Sequence, residues 1–512
     1  MPNSTRKAKP RALRRPTLRI NFCANAVFAL LAAINLVSCG SADSSHIEPS
    51  NLAPTIVALS PNSSKQGGPA FTLSVVGNNF IPSSTVQWNS ISLQTTLISS
   101  QLLTAEVPDS ALSSAGPGVI TVANFTPGGG ISNALNLAVP CVIDAPKTAS
   151  TQSRARVGAF YFDGWSGPLT NFHFHGLPFG PYQDRQPLSG WQDNSTCAME
   201  QQLAWAHNFG IDFFLFDWYY NAEAAEPSDN LNSAFDITRS LPDRHGMKYA
   251  MMYTNGPPFD TGVDGWSDAV KVWVNYMTDP DYMRVNGKPL FVFINVGGMR
   301  ADFGSAAGVA AALDEFRAAA VAKGLPGVYF VGDFGPPDGT IGEESLDDGF
   351  SIAGSDGYDA ITIWGYPFAR TPVNGEVPFS GLSDGGHWTW EQAVSHSPLP
   401  YIPAVMDGWD SRPWGETSAG GFLMWYDRTP QDVATFLNDA IEWANANPQL
   451  RPEPPPAPPL VLITSWNEIG EGNHILPTVT EGTSYGDAIA NVLMTTTSTS
   501  ARAAPTLNSE RQ

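Results

Sequence analysis

Cysteine is nearly missing: four residues in 512, of which Cys23 and Cys39 fall in the first 40. No Cys/His grouping has metal-ligand spacing, and His173-Phe174-His175 alone does not make a site, so no metal and no cofactor are expected. Cys141 and Cys197 leave two readings open, a disulfide or two buried thiols. Basic residues are also few, 27 against 48 acids, for a formal net charge of −21. Seven of them stand in residues 1–39, which hold no acid, so the rest of the chain carries −28. A surface that negative repels nucleic acid, favours neutral ligands and helps solubility. The mostly apolar run 26–37 is too short to cross a bilayer as a permanent helix.

What is present points to a folded, exported protein. Hydrophobic residues make up 42% and aromatics 11%, which argues for a packed core, and 47 Gly with 43 Pro argue for long, turn-rich loops. The 15 Trp and 14 Tyr matter more, because sugars bind by stacking on aromatic faces. Residues 1–38 read as a signal peptide: a basic start, the apolar run, then Leu36-Val37-Ser38-Cys39-Gly40. That ending resembles a bacterial lipobox, which implies cleavage before Cys39, lipidation of its sulfur and a membrane-anchored lipoprotein at the periplasmic face or cell surface. An ordinary secretory signal is the alternative, and it exports the protein equally.

Residues 53–139 alternate as short strands do, with Phe71, Leu73 and Val75 set against Thr72 and Ser74. Turn clusters at 67–69, 77–79 and 127–130 separate the runs, the pattern of a β-sandwich. A polar linker, 140–156, follows. From there to residue 494 eight apolar runs alternate with helical periodicity: 157–162, 211–217, 248–253, 289–295, 328–332, 360–365, 401–406 and 460–464. Val309, Leu313, Phe316 and Ala320 share one helix face, and Thr429, Pro430 and Asp432 form a capping box with a first-turn proline. Eight strand–helix units predict a (β/α)8 TIM barrel, α/β in class, behind a small all-β immunoglobulin-like sandwich. A doubly wound sheet is the alternative, but no Gly-rich phosphate turn follows an early strand. Residues 495–512 read as a disordered tail.

The barrel reading demands polar residues where its strands finish. The survey yields Tyr161, Asp163 and Trp165 after the first strand, and Asp217 and Trp218 at the second. Tyr253 and Asn255 follow the third, Asn295 the fourth, Asp333 the fifth, and Trp364 and Tyr366 the sixth. Asp407, Trp409, Asp410, Arg412 and Trp414 follow the seventh. The eighth run opens into Trp466, Asn467, Glu468 and Glu471. Any one of these could be a core indole or a helix cap. Together they suggest a carbohydrate cleft, with Glu468 and Glu471 as the acid and base that glycosidic chemistry requires.

Several segments carry a family resemblance. Residues 56–61 (IVALSP), 67–80 (GGPAFTLSVVGNNF) and 127–135 (PGGGISNAL) resemble IPT/TIG domains, which leaves a protein or glycan partner open for the sandwich. Residues 158–165 (GAFYFDGW), 210–219 (GIDFFLFDWY), 286–291 (NGKPLF), 403–414 (PAVMDGWDSRPW) and 464–472 (TSWNEIGEG) resemble WbsX-like proteins, relatives of the glycoside hydrolase family 99 endo-α-mannosidases. That resemblance implies a metal-independent (β/α)8 enzyme, endo-acting and retaining, on an α-linked glycan, with mannose among the candidate sugars. It implies that the sugar's own 2-hydroxyl attacks, with Glu468 taking its proton and Glu471 protonating the leaving oxygen. Ile469 and Gly470 replace the Trp-His of the mannosidases, and Leu476 stands where relatives often carry Glu. A glycan-binding protein without catalysis and a WbsX-type glycosyltransferase are the alternatives; no D-x-D metal–nucleotide site supports the second.

Overall fold

The computed structural model describes residues 51–494 except 65, 67, 113–117, 140–152, 168, 170, 179, 221–230, 257, 334–342, 366–373, 411 and 416–423. The expected leader with Cys39, the tail 495–512, Cys141 and Tyr366 lie outside the described residues. Cys197 is disulfide-bonded, which decides for that residue against a buried thiol.

The first region is a pair of antiparallel sheets. One is ordered Thr55–Ser60, Phe71–Asn78, Leu102–Val107, Gln94–Ser99. The other runs Ile91–Ser92, Thr85–Trp88, Gly118–Asn124, Gly130–Ile131, with Leu135–Leu137 also paired to Gly118–Asn124. Alternation makes the core: Leu73, Val75, Leu103, Val86, Ile120 and Val122 are fully buried, and their neighbours along the strands face out.

The second region is a nearly closed barrel of eight parallel strands. They are β1 (Arg156–Tyr161), β2 (Phe213–Trp218), β3 (Lys248–Tyr253), β4 (Lys288–Phe293), β5 (Tyr329–Asp333), β6 (Ala360–Thr362), β7 (Ala404–Met406) and β8 (Leu460–Thr464). Neighbours pair in order from β6 back to β1, then β8 and β7. Ring closure rests on a single bridge, Ile361 to Tyr401, with Ile402 N donating to Ile361 O at 2.9 Å. The apolar run 401–406 is therefore shorter as a strand than expected, because Pro403 has no N–H to give a ladder.

Around the barrel stand α1 (Thr196–Phe209), α2 (Ser233–Ser240), α3 (Gly262–Tyr276), α4 (Val296–Phe303), α5 (Ala306–Ala322), α6 (Glu343–Asp356), α7 (Ser380–His396), α8 (Pro430–Ala446) and α9 (Ser484–Leu493). The capping box at Thr429 and Asp432 is formed, and Val309, Leu313, Phe316 and Ala320 of α5 are buried as their spacing requires. No helix of the described residues is long and apolar enough to cross a membrane.

Candidate active site

Parity decides which strand-end side chains reach the barrel mouth, since successive residues of a strand point in and out. In β2, Phe216 meets Phe235 of α2 with ring centroids 5.7 Å apart, so it faces the helices. Asp217 therefore points inward, while Trp218 points outward and meets Trp273 of α3 edge-on at 5.6 Å. Tyr161 also faces the helix layer, its hydroxyl 3.0 Å from Asp193 Oδ2 and 3.1 Å from Gln202 Oε1. Tyr253 packs on Trp273, and its hydroxyl accepts from Thr261 N at 2.6 Å.

Other expected contact residues join the strand ends to one another. Trp466 is fully buried and donates through Nε1 to Gln202 Oε1 at 2.8 Å. The Asn467 amide brackets the Phe162 backbone, accepting from its N–H at 2.8 Å and donating to its carbonyl at 3.0 Å. Trp165 Nε1 donates to Asn467 O at 2.9 Å. Asn255 does for β3 and β4 what Asn467 does for β1 and β8, donating to Asn295 O at 2.7 Å and accepting from Asn295 N at 3.1 Å. Asp163 caps α2, its two oxygens accepting from Ala234 N at 2.9 Å and Phe235 N at 2.8 Å. These eight side chains, expected as substrate contacts (Tyr161, Asp163, Trp165, Trp218, Tyr253, Asn255, Trp466 and Asn467), all make contacts within the fold itself. Backbone groups where strands stop and helices start take up the polar atoms of Asp163, Trp165, Tyr253, Asn255 and Asn467, whereas Tyr161 and Trp466 bond the Gln202 side chain and Trp218 packs on Trp273.

Asp410 is engaged as well. It pairs with Arg185 and accepts from Arg412 Nε at 2.7 Å and Nη2 at 2.8 Å. Arg412 in turn lies over the Trp425 ring, 3.9 Å from its centroid. Trp409 is half-buried and, with Arg185, Asp410, Gly472, His474 and Glu481, lines a pocket of about 140 Å³.

What remains at the mouth is acidic. Glu468 is 7% exposed, and burial, then the charges of Glu471 and Asp217, push its carboxyl well above the usual range. Asp217 is pushed up by burial and by Asp163, Glu471 and Asp333. Burial and four of these acids likewise raise the Tyr219 hydroxyl. Asp407 is raised by burial although Arg428 Nη1 stands 3.7 Å from its Oδ1. Burial also sets His474 low, at about 4, while its hydrogen bond and the Arg428 charge hold Glu481 at about 2 against its own burial. Two interacting carboxyls repel when both are ionised, so the Glu471 charge adds to burial in favouring the protonated form of Glu468. No cluster of three or more His, Cys, Asp or Glu among the described residues is arranged to hold a metal.

The turn that carries the pair is fixed at several points. Ser465 Oγ accepts from Glu468 N at 2.8 Å and donates to Asn473 O at 2.7 Å. Asn467–Glu468 then pairs antiparallel with Asn473–His474 around the 3₁₀ turn Ile469–Glu471. Gly472 closes this turn at φ 70°, the left-handed conformation that glycine favours. The left-handed residue of the turn is thus Gly472 and not Gly470; the role of Gly470 is different. Its missing side chain makes room instead for Trp414, which also stacks on His175 at 4.5 Å. Arg185, Ser465, Asp193, Gln202, Arg428 and Glu481 had no place in the sequence reading, because single polar residues, whether in loops or, like Gln202, within a helix, carry no periodic signal.

Residues 260–489 match the family described as glycosyltransferase WbsX, and residues 54–139 match the IPT/TIG domain. No protein of curated function matches the chain in sequence. Among solved structures, a GH99 endo-α-mannosidase from Bacteroides thetaiotaomicron is similar over 66% of this chain and 94% of its own, at 15% identity and a TM-score of 0.44. A Bacteroides ovatus GH5 xyloglucanase is similar over 86% and 99%, at 10% identity and a TM-score of 0.30. The TIG domain of human nuclear factor of activated T-cells, cytoplasmic 4, covers 16% of this chain and 84% of its own, at 22% identity and a TM-score of 0.14. The match to the WbsX family thus spans the β4–β8 portion of the barrel, and the match to the IPT/TIG domain spans the sheets that precede it.

Proposed function

We propose that this WbsX-domain barrel is a glycoside hydrolase, endo-acting and retaining, that cleaves an α-linked glycan. One observation carries the reading: Glu468 and Glu471, three residues apart, interact electrostatically within a mouth of buried acids. In the proposed reaction Glu468 accepts the proton of the sugar's 2-hydroxyl as that oxygen attacks the anomeric carbon. Glu471 gives a proton to the departing glycosidic oxygen. Water then opens the resulting anhydrosugar, losing its proton to Glu471, while Glu468 returns a proton to the 2-oxygen. In the free protein burial favours the protonated form of Glu468, so in this reaction substrate must favour its carboxylate before attack. Hydroxyl groups of a bound sugar can do this by solvating the Glu468 carboxylate in place of water. The chain is exported, in this proposal, as a lipoprotein anchored through Cys39, and its IPT/TIG domain is a spacer or binding module.

The test is turnover of a panel of α-linked oligosaccharides by the wild type and by Glu468→Gln and Glu471→Gln. Hydrolysis by the wild type that both variants lose supports the proposal; equal turnover in all three removes the pair from the chemistry. A second reading, a glycosyltransferase, has the description of the WbsX family in its favour. Saturable binding of a sugar nucleotide, with transfer to an acceptor, decides for it.

A further inference from the structure

Three loops meet at the turn between the two glutamates, and one guanidinium touches all of them. Arg185 ends the 3₁₀ turn Gln183–Arg185 in the long segment after β1. That segment is fixed to the chain beyond β8, with Leu188 N donating to Pro477 O at 2.8 Å and Val479 N to Gln186 O at 2.8 Å. From this base Arg185 Nη1 donates to Ile469 O at 2.9 Å and to Asp410 O at 3.3 Å, and Nη2 pairs with the Asp410 carboxylate. Asp410 N closes the circuit by donating to Glu471 O. The backbone on both sides of Gly470 is therefore held: Ile469 directly by Arg185, Glu471 through Asp410.

We propose that Arg185 is a positioning residue that sets the separation of the Glu468 and Glu471 carboxyls. This rests on the reading of that pair as acid and base. The influences on Glu468 are burial, Glu471 and Asp217, and Arg185 is not among them, so it acts through place rather than through its own field. Carboxyl–carboxyl repulsion varies inversely with distance, so a turn that relaxes outward weakens the coupling and brings the two titration midpoints together. A planar guanidinium can hold the Ile469 carbonyl and Asp410 at once, whereas an ammonium holds one acceptor geometry loosely.

The experiment compares the full chain with Arg185→Lys and Arg185→Gln by ¹³C titration of glutamate carboxyls. The two signals are assigned from the Glu468→Gln and Glu471→Gln proteins. Arg185→Lys keeps the charge beside Asp410 and is the variant expected to stay folded if Arg185→Gln does not. A narrowed gap between the two midpoints in a folded Arg185→Lys protein supports the proposal; an unchanged gap overturns it, even if the variant unfolds at lower temperature. On a glycan that the wild type cleaves, kcat should fall by roughly tenfold to a hundredfold with KM unchanged. If the wild type cleaves no glycan the hydrolase reading fails by itself, and the titration still decides the role of Arg185.

Discussion

The indole of Trp414 rests on Gly470, between Glu468 and Glu471, so closely that a β-carbon at 470 would fall 1.8 Å from Nε1. The ring cannot easily retreat, because His175 stacks on it with an interplanar angle of 22°. Gly470→Ala is therefore expected to cost about 1–3 kcal/mol in urea unfolding, the usual range for an overpacked site. Activity should fall further than stability, since the clash is relieved by moving the turn that carries both acids. In a Trp414→Ala background the same substitution should cost much less; equal costs in both backgrounds would show that the indole does not set the requirement.

Replacing each glutamate separately assigns its role. On a natural glycan both Glu468→Gln and Glu471→Gln should lose roughly 10²–10⁴-fold in kcat. A glycosyl fluoride leaves without needing a proton, so on that substrate Glu471→Gln should regain most of the rate of the first step, read as a burst of released fluoride before the slow opening by water, and Glu468→Gln should not. Recovery of Glu468→Gln instead would exchange the two roles.

The barrel was legible because strands covered on both faces must be apolar throughout, and 248–253 and 460–464 are strands at those residues. Glu468 and Glu471 were legible for the complementary reason, since carboxylates directly beyond such a run are out of place in a core. Asp163, Trp165 and Asn467 read as ligand contacts in the sequence because capping a helix and bridging two strand ends use the same residue types as binding a sugar. Arg185 had no signal to find. The groups it holds stand 225 and 284 residues further along the chain, and only the folded loops bring them together.

Burial of Glu468 has a pH signature in stability. Its folded pKa lies well above the ordinary 4.5, so folding favours its protonated form. That contribution is complete below about pH 4.5 and is lost as pH rises through the folded value. Glu468→Gln removes the term. The variant should thus gain melting temperature relative to wild type as pH rises from 4.5 toward 8, with the difference smallest at the acid end. A difference that stays flat with pH, or shrinks on the alkaline side, contradicts a buried, proton-holding Glu468.

Glu481 should behave in the opposite sense. It accepts from Arg428 Nη2 at 2.9 and 3.0 Å and lies 3.2 Å from His474 Nε2, and it titrates at about 2. His474, at about 4, is neutral over the physiological range, so Arg428 supplies the charge that keeps Glu481 ionised there. A depressed carboxylate stabilises above its ordinary 4.5 and loses that contribution as pH falls toward 2. Glu481→Gln should then lower stability by about 2 kcal/mol at neutral pH, with the deficit fading below pH 4.5. Arg428 cannot stay buried without an anion, and Asp407, 3.7 Å away and pushed above the usual carboxylate range by burial and by the Glu481 charge, is the group that can replace it. Loss of Glu481 should therefore let Asp407 ionise and take over as partner. The double variant Glu481→Gln, Asp407→Asn removes both anions and leaves a buried guanidinium uncompensated, a situation that typically costs 3–5 kcal/mol. Its loss of stability should exceed the sum of the two single losses, and simple additivity in a double-mutant cycle would show that Asp407 does not act as the reserve partner.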